Sequence, residues 1–441
     1  MRKFFYCVLF LYSSIFAQEW KYLGLSSEGI TAIAVDWSHE NVIYAGSGSN
    51  FSSGKAGGIF KSTNSGTTWD TLIRGVTVRQ IVIHPTDSKI LFATLGINSL
   101  TIAGIIKSTD GGLNWFKSDS GVQISWELGP GPLVIDKKYP ELIYTGTGGP
   151  FGGRFYKSTN AGLSWKSFGD TTHLRDGVSA LAIHPDSSNI IYAGTAYSGN
   201  LLRSIDYGVT WSLTGFAAGI IYSIQFGSKS STIYVGSSAN NGFPVGIFRT
   251  TDSGVNWSNP KSGLPDRASI ARIQVLNDNA DERVFIAGGG VYESIQFQTW
   301  RKIGIEKVSI RTITLSRRKL YAGGEGLYML DIPTSVLKDN STVLRDFNLY
   351  NNFPNPFNPT TTIQYQIPED ANVVVKVYNL LGSEVATLVN EIKPAGYYEV
   401  KFSAKGGSAS GGDASSLPSG LYLYKISAGT FSETRKMLLM K

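Results

Sequence analysis

Few residues in this 441-residue chain could perform covalent chemistry. There are four histidines, His39, His84, His173 and His184, and one cysteine, Cys7. No His-Glu-x-x-His or other paired-histidine spacing occurs, so no metal site is expected. A Gly-x-Ser-x-Gly elbow and a phosphate-cradling glycine loop are also absent, and no cofactor is expected. There remains a scatter of side chains in the longer connections: Trp126, Glu127, Asp170, His173, Arg175, Asp176, Asp266 and Arg267. Two carboxylates across a cleft can hydrolyse a glycosidic bond as acid and base or nucleophile. A loop tryptophan can stack on a sugar or a peptide. The charged residues equally suit solvated loops, and Trp126 equally suits a plug over an internal channel. No catalytic residue is assigned.

The elements that must position these loops are set by a repeat. Five stretches share one pattern of Ser or Thr, Asp or Asn, Gly and Trp. They are Ser62, Asn64, Gly66 and Trp69; Ser108, Asp110, Gly112 and Trp115; Ser158, Asn160, Gly162 and Trp165; Ser204, Asp206, Gly208 and Trp211; and Thr250, Asp252, Gly254 and Trp257. A degenerate copy ends at Trp300, and Glu19-Trp20-Lys21-Tyr22-Leu23-Gly24 resembles the segments that begin at the other tryptophans. Trp20, Trp69, Trp115, Trp165, Trp211, Trp257 and Trp300 are spaced 49, 46, 50, 46, 46 and 43 residues apart. Each unit reads as an alternating strand, a turn twice written Ile-His-Pro (at His84 and His184), a second strand such as Ile190-Ile191-Tyr192-Ala193-Gly194, and a third strand such as Gly58-Ile59-Phe60-Lys61-Ser62 running into the turn. A fourth strand starts at the tryptophan. Four strands in about 46 residues is the size of a β-propeller blade. Fifty glycines, 12% aromatics and only 17% charged residues agree with short strands and tight turns.

The repeated turn is accounted for by its residue types. The Asp or Asn and the Ser or Thr accept backbone N–H groups, Gly takes a positive φ, and the indole covers the hairpin end. These copies resemble the Asp-box (BNR) repeat of sialidases, sortilin-type propellers, photosystem assembly factors and xyloglucan hydrolases, over residues 18–332. The resemblance implies an all-β, seven-bladed propeller in which the boxes are structural and lie away from the ligand face. The last unit, Ser309–Asp331, has three strands and no tryptophan. The Trp20 segment is therefore expected to supply the fourth, pairing antiparallel with residues near Tyr328 and closing the ring.

The ends of the chain carry addresses. Residues 1–17, with Arg2 and Lys3 before an apolar run and Ala17 after it, read as a secretory signal peptide. Cys7 lies within it, and no segment is long and apolar enough for a transmembrane helix. After a linker at 333–345, residues 346–441 predict a small β-sandwich with strands at 362–367, 371–378, 396–402, 420–426 and 430–437. Asn352-Phe353-Pro354-Asn355-Pro356-Phe357-Asn358-Pro359-Thr360-Thr361, Val377-Tyr378-Asn379-Leu380-Leu381-Gly382, Gly420-Leu421-Tyr422 and the tail Arg435–Lys441, with Lys436 and Lys441, resemble the type A sorting domain of type IX secretion. That implies a secreted or cell-surface protein of a Gram-negative bacterium, with the secretion machinery as partner.

The formal charge of +7 is spread along the chain, with no basic arm, so no nucleic-acid partner is expected. The loops at 46–57, 96–103, 146–153 and 236–245, with the connections at 118–132, 168–178 and 259–270, are expected to form a ligand face for a glycan or a protein. The expected role is non-enzymatic binding or adhesion. The alternatives are a sialidase- or xyloglucanase-like glycoside hydrolase using loop carboxylates, and an assembly factor for another secreted protein. Against the hydrolase, the Arg-Ile-Pro motif of sialidases is absent. Tyr44–Asn50 also lacks the charges of the corresponding xyloglucanase stretch.

Overall fold

The computed structural model describes residues 19–48, 57–96, 103–124, 129–148, 153–168, 177–238, 244–266, 268–278, 281–295, 297–305, 308–332, 347–352, 354–394, 396–404 and 417–440. The expected leader and linker lie outside these residues, as do Trp126, Glu127, Asp170, His173, Arg175, Asp176, Arg267 and Lys441. Every regular element among the described residues is a β-strand. The chain divides into two compact units, Met1–Thr334 and Ser335–Lys441.

The first unit is a series of small antiparallel sheets. Its second strands, such as Ile43–Gly48, Ile143–Gly148 and Ile233–Ser238, are buried along almost their whole length. Continuous burial means that both faces of the sheet are covered, which explains why these strands are apolar runs and not alternating ones. A tyrosine recurs at their centre, and Tyr44, Tyr144, Tyr192, Tyr234 and Tyr321 are all fully buried.

A glycine stands two residues after that tyrosine, and packing explains it. A Cβ on Gly46 would lie 2.4 Å from Val78 Cγ1 on the first strand of the next sheet. Gly146 faces Val178 and Gly194 faces Ile221 in the same way, at 2.3 and 2.4 Å. The second sheet departs from this pattern: Thr94 stands where the glycine would be, and its Oγ1 donates to Gly131 O on the next sheet at 3.0 Å. Gly323 near the end of the unit repeats the contact with Ile30 near its start, at 2.5 Å.

The expected pairing of the N-terminal segment is present. Lys21–Val35 is one long strand with two partners: Lys21 and Tyr22 oppose Met329 and Tyr328, and Gly29–Val35 oppose Gly48–Ile43. It therefore joins Thr312–Ser316 and Lys319–Asp331 to Ile43–Gly48, Gly58–Ser62 and Asp70–Arg74 in one six-stranded sheet. The sequence separates Lys319–Gly323 from Gly326–Asp331, whereas the structure holds one element, Lys319–Asp331. Ile332 N donates to Arg318 O at 2.7 Å and Gly326 has φ 102°, so this element doubles back on itself.

The second unit has a three-stranded sheet and a four-stranded sheet over one core that includes Ile363, Tyr365, Val375, Val377, Tyr424 and Met437. The structure adds a strand that the sequence reading omits, Glu384–Lys393. Its charged residues and the exposed Ile392 hide the alternation, yet it pairs along Ala371–Tyr378. Phe357 exchanges backbone hydrogen bonds with the last strand, N to Leu438 O at 2.9 Å and O from Met440 N at 3.0 Å. Tyr422 is buried, its hydroxyl donating to Pro418 O at 2.8 Å, while Lys436 is exposed on the last strand.

Gly46→Ala is expected to destabilise the fold by about 1–3 kcal/mol through overpacking. Adding Val78→Ala should recover part of the loss, because the two side chains compete for one space. Urea unfolding measures both; a neutral Gly46→Ala would mean that the seam between these sheets is loose.

Candidate functional site

The five repeated turns share one geometry. In the second, Gly112 N and Asp110 N donate to Ser108 Oγ at 2.9 and 3.3 Å, and Ser108 Oγ donates to Asp110 Oδ1 at 2.8 Å. Asn114 N then donates to Asp110 Oδ1 at 2.9 Å. The same set recurs around Ser62 and Asn64, Ser158 and Asn160, Ser204 and Asp206, and Thr250 and Asp252. Gly66, Gly112, Gly162, Gly208 and Gly254 all have positive φ. At Gly208 a Cβ would also lie 2.5 Å from Phe155 Cε1, so space and backbone both require glycine there.

Electrostatics agree with a closed, structural turn. The backbone N–H of Asn114, then its side chain and Ser108, hold the Asp110 carboxyl down at about 2. At Asp206 and Asp252 desolvation opposes ionisation, but hydrogen bonds from the turn outweigh it and keep both below the usual range.

The tryptophans lock the turns in two ways. Trp69, Trp165 and Trp300 donate their indole N–H to a backbone carbonyl far back in the chain, at Leu23, Ser118 and Pro260, and Trp20 donates to the distant Ile303 O. Trp115, Trp211 and Trp257 donate to the glycine of their own turn. The lysine before each of the first two boxes is also used. Lys61 Nζ and Lys107 Nζ donate to Gly111 O and Ala161 O of the following turn, both at 2.8 Å.

The histidines are equally committed. His84 Nδ1 accepts from Thr86 N at 3.4 Å and His184 Nδ1 from Asp186 N at 3.2 Å. Desolvation lowers the pKa of both. Asp266, the one described member of the loop set, is exposed on the turn closed by Ala268 N to Pro265 O at 3.1 Å. The other seven lie outside the described residues. Among the described residues, no three His, Cys, Asp or Glu come together as a metal site would require.

The structure does bring together residues that the sequence reading passed over. The strands Lys21–Val35, Thr77–Ile83, Gly129–Ile135, Val178–His184, Ile220–Phe226, Arg272–Asp278 and Thr312–Ser316 contribute to one cavity of about 820 Å³. Its wall holds three arginines, Arg79, Arg272 and Arg311, with Tyr197, Tyr222, Gln225 and several hydroxyls, and the described lining includes no Asp or Glu. Gln80 and Gln274 also lie there, but both bind backbone. Gln80 bridges to Leu133 N and O at 2.9 and 3.1 Å, and Gln274 Oε1 accepts from Leu315 N at 3.3 Å. Arg79 Nη1 donates to Pro130 O and Arg272 Nη1 to Tyr222 O, each at 3.3 Å. Desolvation by the surrounding wall lowers the pKa of Arg79 and Arg272, although both guanidinium groups remain charged. The signal in the sequence was positional: Thr77-Val78-Arg79-Gln80-Ile81 carries a cation where Ile30-Thr31-Ala32-Ile33 carries threonine.

Comparison with known proteins agrees with this division. Residues 351–440 match the family of secretion system C-terminal sorting domains. This places the protein outside the cell or on the outer cell surface of a Gram-negative bacterium. The chain is 31% identical to the xyloglucanase Xgh74A of Acetivibrio thermocellus over 163 residues, which is 29% of this chain and 19% of that protein. It thus spans about a fifth of that relative. Among solved structures, an ancestral GH74 enzyme aligns over 95% of this chain and 63% of its own, with a TM-score of 0.56 and 14% identity. YCF48 from Cyanidioschyzon merolae aligns over 71% of this chain and 98% of its own, with a TM-score of 0.51 and 14% identity. At such identities the likeness is one of fold, propeller-like and all-β.

Asp110 gives a pH prediction. Its pKa falls from 3.8 unfolded to about 2 folded. The stability it contributes is therefore complete above the unfolded value and lost as pH falls through the folded one. Asp110→Asn, which copies the residue at positions 64 and 160, should flatten stability against pH between those two values while leaving neutral stability nearly unchanged. Thermal melts across that range check it, and an unaltered slope would mean that the carboxylate is not held by the turn.

Proposed function

We propose that residues 19–332 form a seven-bladed Asp-box β-propeller, closed by the Trp20 strand, that binds a glycan without hydrolysing it. In this reading the protein is exported by type IX secretion and works at the cell surface. The observation that carries it is the cavity where seven strands meet. It offers arginines, hydroxyls and exposed tyrosine rings, and no carboxylate among its described lining residues. A glycosidase needs two carboxyl groups about 5–10 Å apart across its cleft.

Ring closure is supported by the pairing of Tyr22 with Tyr328 and by the seating of Ile30 on Gly323, which repeats the packing found between earlier sheets. The Asp-box reading is supported by five turns with one hydrogen-bond pattern. Those turns consume their own polar groups, which leaves the loop face and the cavity for ligand. Within this reading Trp126, Glu127, Asp170, His173, Arg175, Asp176, Asp266 and Arg267 are candidate contacts for ligand.

The sequence similarity to a xyloglucanase favours a glycan over other ligands, and it also sustains the second reading, a hydrolase acting through loop carboxylates. The two separate in one experiment. The purified protein is incubated with xyloglucan and other plant and bacterial polysaccharides, and both retention on the polymer and release of reducing ends are measured. Retention without release is expected; release abolished by Glu127→Gln or Asp170→Asn would establish the hydrolase instead. In cells, deleting residues 346–441 should leave the propeller in the periplasm. Its appearance in the medium would refute the assignment of the address.

A further inference from the structure

Trp37 stands outside the tryptophan period, on the turn that joins Lys21–Val35 to Ile43–Gly48. Three turns of this kind close alike. Asp36 N donates to Val42 O and Val42 N to His39 O, at 3.0 and 2.8 Å. His84 N donates to Ile90 O and Ile90 N to Asp87 O, at 2.9 and 3.1 Å, and Asp136 N to Leu142 O and Leu142 N to Tyr139 O, at 3.0 and 2.8 Å. Two of the turns are also capped in one way. Asp36 Oδ1 accepts from Ser38 N at 2.8 Å and His39 N at 3.2 Å, and Asp136 Oδ1 from Lys138 N at 2.8 Å and Tyr139 N at 3.0 Å. The second place of the turn holds Trp37, Pro85 and Lys137 in these three sheets, so the turn itself asks for no aromatic ring there.

The indole is nonetheless held in place. Its Nε1 donates to His84 O of the neighbouring turn at 2.9 Å. Beside it Ser38 Oγ bonds Ser88 Oγ of that turn at 2.9 Å, His39 Nδ1 at 2.8 Å and Asp36 Oδ1 at 2.6 Å. The first sheet has two further ties to the second at this end, since the Tyr44 hydroxyl and Lys61 Nζ donate to Gly111 O at 3.0 and 2.8 Å. The ring anchored in this way remains 47% exposed. A tryptophan that served only to join the turns would gain by burying its ring, because burial is what makes a large apolar side chain stabilising. The His39 side chain is 71% exposed, and its Nε2 has no hydrogen bond among the described residues. Departure from a local pattern without a matching gain in stability is expected where a residue serves function.

We propose that Trp37 is a stacking platform for a pyranose ring of a neutral polysaccharide, a second glycan site outside the cavity, with His39 Nε2 bonding a sugar hydroxyl. One side of a pyranose is a plane of C–H groups and its rim carries hydroxyls. It therefore suits an open indole face with a polar group at its edge. Fixing the indole by its N–H lowers the side-chain entropy lost on binding. No arginine or lysine is bonded into this cluster, and the carboxylate of Asp36 is spent on its own turn, so a neutral sugar suits the site better than an acidic one. One stacked ring binds weakly, but a polymer presents that ring many times along its length. The inference rests on the glycan-binding reading and adds to it a site on the turns of the first two sheets.

Two readouts on the full mature chain test it, with xyloglucan as probe and polygalacturonate as the acidic comparison. In native gels containing xyloglucan the wild-type chain is expected to be retarded. Trp37→Lys, which copies Lys137, should weaken that binding by roughly threefold to tenfold. Trp37→Phe keeps a ring but loses the bond to His84 O, so it should retain most of the binding while its melting temperature falls. In the second readout N-bromosuccinimide oxidises exposed indoles of the wild-type chain and peptide mapping reads each tryptophan. Trp37 should react in the free chain and be protected by xyloglucan. Binding unchanged in Trp37→Lys, equal losses in the two variants, or oxidation of Trp37 undiminished by xyloglucan overturns the platform and leaves glycan binding standing. Retardation by polygalacturonate but not by xyloglucan overturns the neutral site in the same way. Failure of the wild-type chain to be retained by any polysaccharide overturns the glycan reading, and the platform with it.

Discussion

The first unit depends on one steric contact: a side chain on the first strand of one sheet enters the space left by a glycine on the second strand of the sheet before it. Gly46 with Val78, Gly146 with Val178, Gly194 with Ile221, Gly236 with Ile270 and Gly323 with Ile30 are instances of the same contact. Protein interiors are packed to crystal density, so each instance sets how closely and at what angle the next sheet lies. The second sheet departs from it, with Thr94 in the glycine's place and its hydroxyl bonded to Gly131 O on the next sheet. Five sheets share this contact, and Gly323 near the end of the unit makes it with Ile30 near its start.

The hydrogen-bonded turns do a second job at the outer ends of the sheets. Strand ends leave backbone N–H groups without ladder partners, and buried unpaired groups are costly. Ser or Thr and Asp or Asn take up those groups inside the turn, and at the first two turns the preceding Lys61 and Lys107 carry the bonding across to the next turn. The sixth unit shows what happens when the pattern decays. It has no Asp or Asn, Ser294 Oγ is buried without a partner, and the position before it is Glu293 and not a cation. Glu293 is then held between Arg283 and Arg301, an ion-pair network that replaces the link to a neighbour.

These two devices differ in how far the sequence discloses them. The turn is local: four residue types within eight positions fix its hydrogen bonds, so the sequence predicts it fully. The pairing of Trp20 with the far end was also legible, because the last unit lacks one strand and the first segment has one to spare. The glycine notch joins residues about thirty apart, as with Gly46 and Val78, and neither type announces the other. Which way each indole points was hidden for the same reason, since Leu23, Ser118 and Pro260 are reached only across the fold. Glu384–Lys393 was missed because its pairing partner, and not its own alternation, makes it a strand.

The cavity illustrates the limit most sharply. Arg79, Arg272 and Arg311 sit on three strands, up to 232 positions apart in the chain, and each alone reads as an ordinary polar residue beside an apolar run. Their relation appears once the strands converge. Burial of these groups has a physical cost, since desolvation lowers the pKa of Arg79 and Arg272.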